Sequence, residues 1–189
     1  TVSMETVAEI VWGAKQPKRS RESVHVYISQ LRAFLDAGGD IITIGQSTAL
    51  GRHLGLDMKD WLVDHENVSL SRDDYFVPGS IVQIDVDHTQ PVAWGLPSRL
   101  DVHFNNSPVY EMGDGLRPLG WFSDREPLRS GWAWGQHYLN GGVTMAQAKV
   151  GEGQPYLFGP EVTPRGQPHG TFKLLFNGIA HAGLNIGER

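Results

Sequence analysis

The sequence predicts an α/β fold. An apolar stripe at helical spacing, Val24, Tyr27, Ile28, Leu31, Phe34 and Leu35, ends at a Gly38-Gly39 stop. An apolar β-branched run, Ile41 to Ile44, follows directly. A tight Gly45-Gln46-Ser47-Thr48 corner then leads into a second short helical pattern over 49–56. Helix, buried strand, elbow and helix in this order are the unit from which open α/β sheets are built.

The corner lies at the carboxyl end of its strand, where such sheets place ligands and nucleophiles. Gly45 suits a sharp turn, and Gly-x-Ser-x-Ala over residues 45–49 has the form of a nucleophile elbow with Ala49 at the second small position. Ser47 therefore has two readings. It is either a nucleophile at the apex or a serine that caps the following helix.

Length and composition bound the rest. The 189 residues suffice for a single domain over 1–189, and 40% hydrophobic with 20% charged residues is a globular balance. No apolar run approaches the roughly 18 residues that span a membrane, so no membrane partner is expected. A net charge of -5 argues against nucleic acid, whose phosphates call for a basic surface. The cluster Lys15, Lys18, Arg19, Arg21 is local and holds Pro17, as a solvated loop would. With no cysteine, disulfides, thiolate zinc sites and cysteine nucleophiles are all excluded. The chain starts at Thr1 without an initiator Met, which suggests a mature or excised piece.

Along the chain, Val7, Ile10 and Val11 predict a short helix over Met4 to Trp12. A further helical turn or two is expected over Met58 to Val63, then a polar loop over 64–74. In 80–87, Ile81, Gln83, Asp85 and Asp87 alternate with Val82, Ile84 and Val86, which predicts a strand with one polar face at a sheet margin. Asp85, Asp87 and His88 are either metal ligands, since carboxylates two apart on a strand share a face, or a solvated strand face ending in an Asp-His turn, which is the preferred reading.

Strands are also expected at Leu100 to Phe104, briefly at Val109 to Glu111, and at Gly120 to Phe122 after a loop over Gly113 to Pro118. Trp132 and Trp134 stand among glycines, either as a sugar or peptide platform or as seals on a core edge. Val143 to Val150 and Gln154 to Phe158 read as a hairpin-like pair around Gly151-Glu152-Gly153, or, in a doubly wound sheet, the second run is a central strand. A Pro- and Gly-rich loop over 159–170 precedes a closing helix over Thr171 to Ala180. Arg165 and Gln167 in that loop are candidate ligand contacts, the guanidinium offering a fork for a carboxylate.

Three stretches together resemble a known family: Gly-Gly-Asp-Ile-Ile-Thr-Ile-Gly at 38–45, Phe-Val-Pro-Gly-Ser-Ile-Val-Gln-Ile-Asp-Val-Asp with Pro-Val-Ala-Trp-Gly-Leu-Pro at 76–97, and Pro-Arg-Gly-Gln-Pro-His-Gly-Thr-Phe-Lys-Leu-Leu-Phe-Asn at 164–177. They resemble the C-terminal domain of large bacterial zinc carboxypeptidase-like proteins, in which a carboxypeptidase A-like catalytic domain precedes a domain similar to class I glutamine amidotransferases. The resemblance runs from about Val24 onward.

It implies a flavodoxin-like three-layer sandwich with a mostly parallel sheet and a β-rich insertion. The first strands of that sheet would lie upstream of Thr1 if the chain is a fragment. It also implies a periplasmic or secreted setting, with the peptidase domain of the same polypeptide as partner and a peptide as substrate.

Departures from that family are as informative. An active amidotransferase of this class has Cys at the elbow and His-Pro-Glu after a late strand. Here Ser47 takes the Cys position and Gly159 the His position, while Pro160 and Glu161 agree. A hydroxyl without an adjacent base is a poor nucleophile. The resemblance and its departures together imply a non-catalytic accessory domain that supports the stability or substrate binding of the peptidase, whereas the rival reading makes Ser47 the nucleophile, His169 the base and Glu161 its orienter. No His is followed three residues later by Glu, so the peptidase zinc pair is missing. Zinc is expected only in the absent peptidase domain, and no cofactor in this one.

Overall fold

The computed structural model describes residues 20–187. The expected helix over Met4 to Trp12 and most of the basic cluster lie outside the described residues. Helix α1 (Ser20–Asp36) runs to the glycine stop, where Gly38 takes a positive φ of 89°. Its stripe does not all face the sheet. Val24 and Leu35 are buried, whereas Tyr27, Leu31 and Phe34 are exposed. The Phe34 ring folds back over Gly39, filling the space that a Cβ there would need, and so stays at the helix end.

Strand β1 (Ile41–Ile44) leads into a 3-10 turn (Gly45–Ala49) and the short helix α2 (Leu50–His53). The helical turn expected over Met58 to Val63 is instead strand β2 (Met58–Asp60), because it pairs antiparallel with β5 (Tyr110–Met112) and buries Met58. The remaining strands are β3 (Ser80–Val86), β4 (Arg99–Phe104), β6 (Leu116–Trp121), β7 (Leu128–Ser130), β8 (Val143–Ala148) and β9 (Pro155–Phe158). Strand β6 starts inside the expected 113–118 loop, since Leu116, Arg117 and Pro118 pair with β8. The chain closes with helix α3 (Phe172–Gly187).

The strands form one sheet in the order β1-β9-β8-β6-β3-β4, with β7 on β3 and β5 on both β2 and β8. A mostly parallel sheet was expected, and the structure corrects this. Among the described residues only β1 and β9 pair in parallel, from Ile41 opposite Pro155 to Ile44 opposite Phe158. The reason lies in the connections. Parallel neighbours need a crossover of roughly a dozen residues or more, usually helical. From β3 to β9 no α-helix intervenes, and neighbours such as β8 and β9 turn straight back through Gly151–Gly153. The fold is thus mixed α/β, with the β-rich part forming most of the sheet.

Two cores flank the sheet. The larger gathers Val82, Ile84, Val102, Phe104, Met145, Phe158 and Leu174, with Ile42 and Ile44 packed against it. Helix α3 covers this side, its Gly178 set so close that a Cβ would lie 2.7 Å from Ile42 Cδ1. Asn177 Nδ2 donates to the carbonyls of Val92 (3.1 Å) and Trp94 (2.9 Å), fixing the helix to the 3-10 turn at Pro91–Ala93. On the opposite face a smaller cluster joins Met58, Tyr110, Val143, Ala146 and Leu157. It ends at Trp121, beyond which the face becomes polar.

Candidate functional site

The parallel pair β1 and β9 delivers the elbow and the 159–170 loop to the same end of the sheet, where a doubly wound protein would bind its ligand. Ile44 is extended (φ -131°, ψ 137°) and Gly45 takes a positive φ of 61°. Ser47 is exposed, yet its hydroxyl is turned back on the strand. Oγ accepts from Ile44 N–H at 2.8 Å and donates to Ile44 C=O at 2.7 Å. Ser47 therefore ties the turn to the strand end and does not cap α2.

Behind the elbow lies a polar pair. Thr48 Oγ1 hydrogen-bonds the Gly45 carbonyl (2.7 Å) and the buried Tyr110 hydroxyl. Burial pushes the Tyr110 phenol up to about 12. Arg52 sits with its guanidinium carbon 5.8 Å from the Tyr110 ring centre and is paired to Asp60 at 2.5 Å. These contacts anchor the elbow on β2 and β5 and supply no free base.

At the end of β9, Gly159 N–H donates to Thr144 C=O at 2.7 Å. A Cβ on Gly159 would collide with the Pro108 carbonyl and come within 2.6 Å of Thr144 O and 2.7 Å of Thr144 Oγ1. The strand end is closed by backbone oxygens, so no side chain fits there without displacing main chain.

The other candidates are engaged elsewhere. Glu161 bridges to β4, its N–H donating to His103 C=O (3.2 Å) and Oε2 lying 3.8 Å from His103 Nδ1. His169 packs at a tilt of 42° against Phe172, with ring centres 5.6 Å apart. Ser47, Glu161 and His169 thus have three different partners, and no hydrogen-bonded chain links them among the described residues. His103 was missed by sequence reading. It sits in a strand 58 residues before Glu161 and no local pattern announces the pairing.

Trp132 and Trp134 are about half exposed. Trp132 meets Phe76 edge-on at 5.9 Å, and Trp134 exchanges backbone hydrogen bonds with Phe76 while its Nε1 donates to Asp73 C=O. Arg165 and Gln167 are exposed in the loop after β9. No described contact joins these two to the tryptophans. Among the described residues no group of three or more His, Asp or Glu is placed to hold a metal ion. No helix among them is long and apolar enough to cross a membrane.

No family model matches the chain, and no curated protein does. Solved structures do. A "putative gmp synthase subunit a protein" from Thermoplasma acidophilum superposes with a TM-score of 0.54 at 14% identity, over 89% of this chain and 71% of that one. The two share a fold. A β-galactosidase from Bacillus circulans sp. alkalophilus gives 0.54 at 14% identity over 83% of this chain but only 21% of its own length. The Salmonella typhimurium cytoplasmic protein STM3548 gives 0.50 at 12%, over 95% of this chain and 68% of that one. At these identities the likeness concerns fold alone.

Proposed function

We propose that this chain is a non-catalytic, glutamine amidotransferase-like accessory domain. The observation that carries this reading is Gly159. At the position where the family pattern has its base, backbone oxygens of Pro108 and Thr144 fill the space of a side chain. The elbow hydroxyl, for its part, is spent on Ile44. Nucleophilic catalysis needs a base within hydrogen-bond reach, and general acid–base work needs the same. The β-galactosidase, matched over 21% of its length, is a case of this fold within a much longer chain.

The enzyme served is, in this proposal, a zinc carboxypeptidase-type hydrolase of the periplasm or cell exterior, with the peptidase domain on the same polypeptide as partner and a peptide as substrate. Support comes from the family-like stretches at 38–45, 76–97 and 164–177. The domain would stabilise the peptidase or shape access to it. Expressing the parent polypeptide with and without this region tests the proposal. The expected result is a lower thermal midpoint or a narrower substrate range for the truncated form, with zinc content unchanged. Unaltered stability, kcat/KM and substrate range would overturn it.

A further inference from the structure

Away from the elbow, the polar face of strand β3 carries a row of charged and aromatic side chains. Strand β3 alternates strictly, so Gln83 and Asp85 face away from the large core that Val82, Ile84 and Val86 enter. Register places Asp85 between Arg99 of β4 and Trp121 of β6, which gives one row across three strands. A cavity of about 610 Å³ lies over this row, lined by Trp121, Asp85, Asp87, His88, Ser98 and Arg117 among others. A second cavity meets it at Asp85 and continues past Arg99, Glu126 and Arg129. Both are open depressions that share Asp85, a shallow groove in two parts over the sheet.

We propose that this groove binds a neutral oligosaccharide, with Trp121 as the stacking platform and Asp85 and Arg117 as the groups that hold its hydroxyls. The site is independent of the accessory-domain reading. Three features carry it.

First, the groove overlies a sheet face and not an edge. Strand β3 is paired with β4 on one side and with β6 and β7 on the other, so a peptide cannot add itself as a strand there. Side chains alone must do the binding.

Second, those side chains have hydrogen-bonding capacity to spare. Asp85 reaches Arg99 Nε only at 3.4 Å, and Arg117 donates to the neutral Oε1 of Gln90 at 3.0 Å. Among the described residues Arg117 makes no ion pair within 4.0 Å, and its charge acts on Asp87 only from beyond that distance, where it adds to the Thr89 hydroxyl hydrogen bond in holding the Asp87 carboxyl below its ordinary value. Asp87, by contrast, is consumed by the turn, accepting from Thr89 N–H, the Thr89 hydroxyl and Gln90 Nε2. Gln90 in turn accepts from Gln147 Nε2 at 3.3 Å, which steadies the amide that holds Arg117.

Third, charges of both signs interleave along the groove, Arg99, Arg117 and Arg129 with Asp85, Asp87, Asp124 and Glu126. Such a lining offers little net attraction to a strongly charged ligand. It suits a polyol, whose C–H face lies on an indole while adjacent hydroxyls bridge carboxylate and guanidinium. Trp121 is half-buried, packed on one side against the small core and lining the cavity with the rest, which holds the platform in place.

The test is calorimetric and NMR titration of the protein with cellohexaose, maltohexaose, chitohexaose and mannohexaose, reading the Trp121 indole N–H. At least one should bind at millimolar concentration or better and shift that resonance. Arg117→Ala and Asp85→Asn should each weaken binding about tenfold, and Trp121→Ala should abolish it, while Trp132→Ala leaves it unchanged. Circular dichroism checks that each variant is folded. If Trp121→Ala does not fold, the two polar variants decide. Failure of all four sugars to bind would overturn the proposal. So would binding that Arg117→Ala and Asp85→Asn leave intact, or that Trp132→Ala removes. A charged tripeptide, trilysine or triglutamate, occupying the groove in place of every sugar would do the same.

Discussion

The Ser47 hydroxyl closes a ring with its own strand, accepting from Ile44 N–H and donating to Ile44 C=O at 2.8 and 2.7 Å. The side chain that would attack a substrate is thereby a structural brace. Ser47→Ala should cost about 1 kcal/mol of stability, the scale of a lost capping interaction. Urea denaturation of the two forms measures this.

Gly159 should tolerate no side chain. A Cβ would press on the carbonyls of Pro108 and Thr144, and overpacking of this kind costs about 1–3 kcal/mol. Gly159→Ala is expected to lower the urea midpoint by a corresponding amount, and Gly159→His to lower it further without conferring glutaminase activity. A histidine variant as stable as the parent would show that the strand end is open.

Alkaline pH should unfold the protein through its buried phenols. Burial raises Tyr110 and Tyr156 to about 12 from an ordinary value of 10.0, and raises Tyr75 as well. The unfolded chain releases these protons first. Stability is therefore intact below pH 10 and falls as pH climbs from 10 toward 12, where the unfolded state binds fewer protons. Denaturant midpoints across that range, with tyrosinate absorbance in parallel, should show the decline. Tyr110→Phe should flatten it.

Two glycines offer a matched comparison. Gly135 has a φ of 64° and a Cβ there would strike the Asp74 carbonyl, while a Cβ on Gly166 meets nothing within 4 Å. Gly135→Ala should cost about 1–3 kcal/mol through strain and collision, whereas Gly166→Ala should be near neutral. Thermal midpoints of both variants provide the check.

Local pattern revealed the elements that depend on local chemistry. The Gly151-Glu152-Gly153 turn between two apolar runs made the β8–β9 hairpin readable, and the Gly38-Gly39 stop marked the end of α1. Sheet direction was not readable in the same way, because it depends on how strands are connected and paired. Three-residue strands such as β2 and β7 carry no periodicity, and their partners Tyr110–Met112 and Ile81–Val82 are far away in sequence. The elbow's place was legible from Gly45 to Ala49, but the direction of the Ser47 hydroxyl was not. The polar face of β3 was legible too, but its expected place at the sheet margin was not correct, since β3 is paired with β4 on one side and with β6 and β7 on the other. That Trp121 stands in its row follows only from register, a relation between residues 36 positions apart.

The central claim is that the elbow is chemically inert, and the most direct measurement is covalent labelling of Ser47. The protein is incubated with an excess of a fluorophosphonate probe beside a serine hydrolase as positive control, and both are read by intact mass and peptide mapping. A hydroxyl held by Ile44 with no base beside it should remain unmodified while the control is fully labelled. Stoichiometric adduct on the Ser47 peptide, lost in Ser47→Ala, would contradict the claim and make this chain a hydrolase.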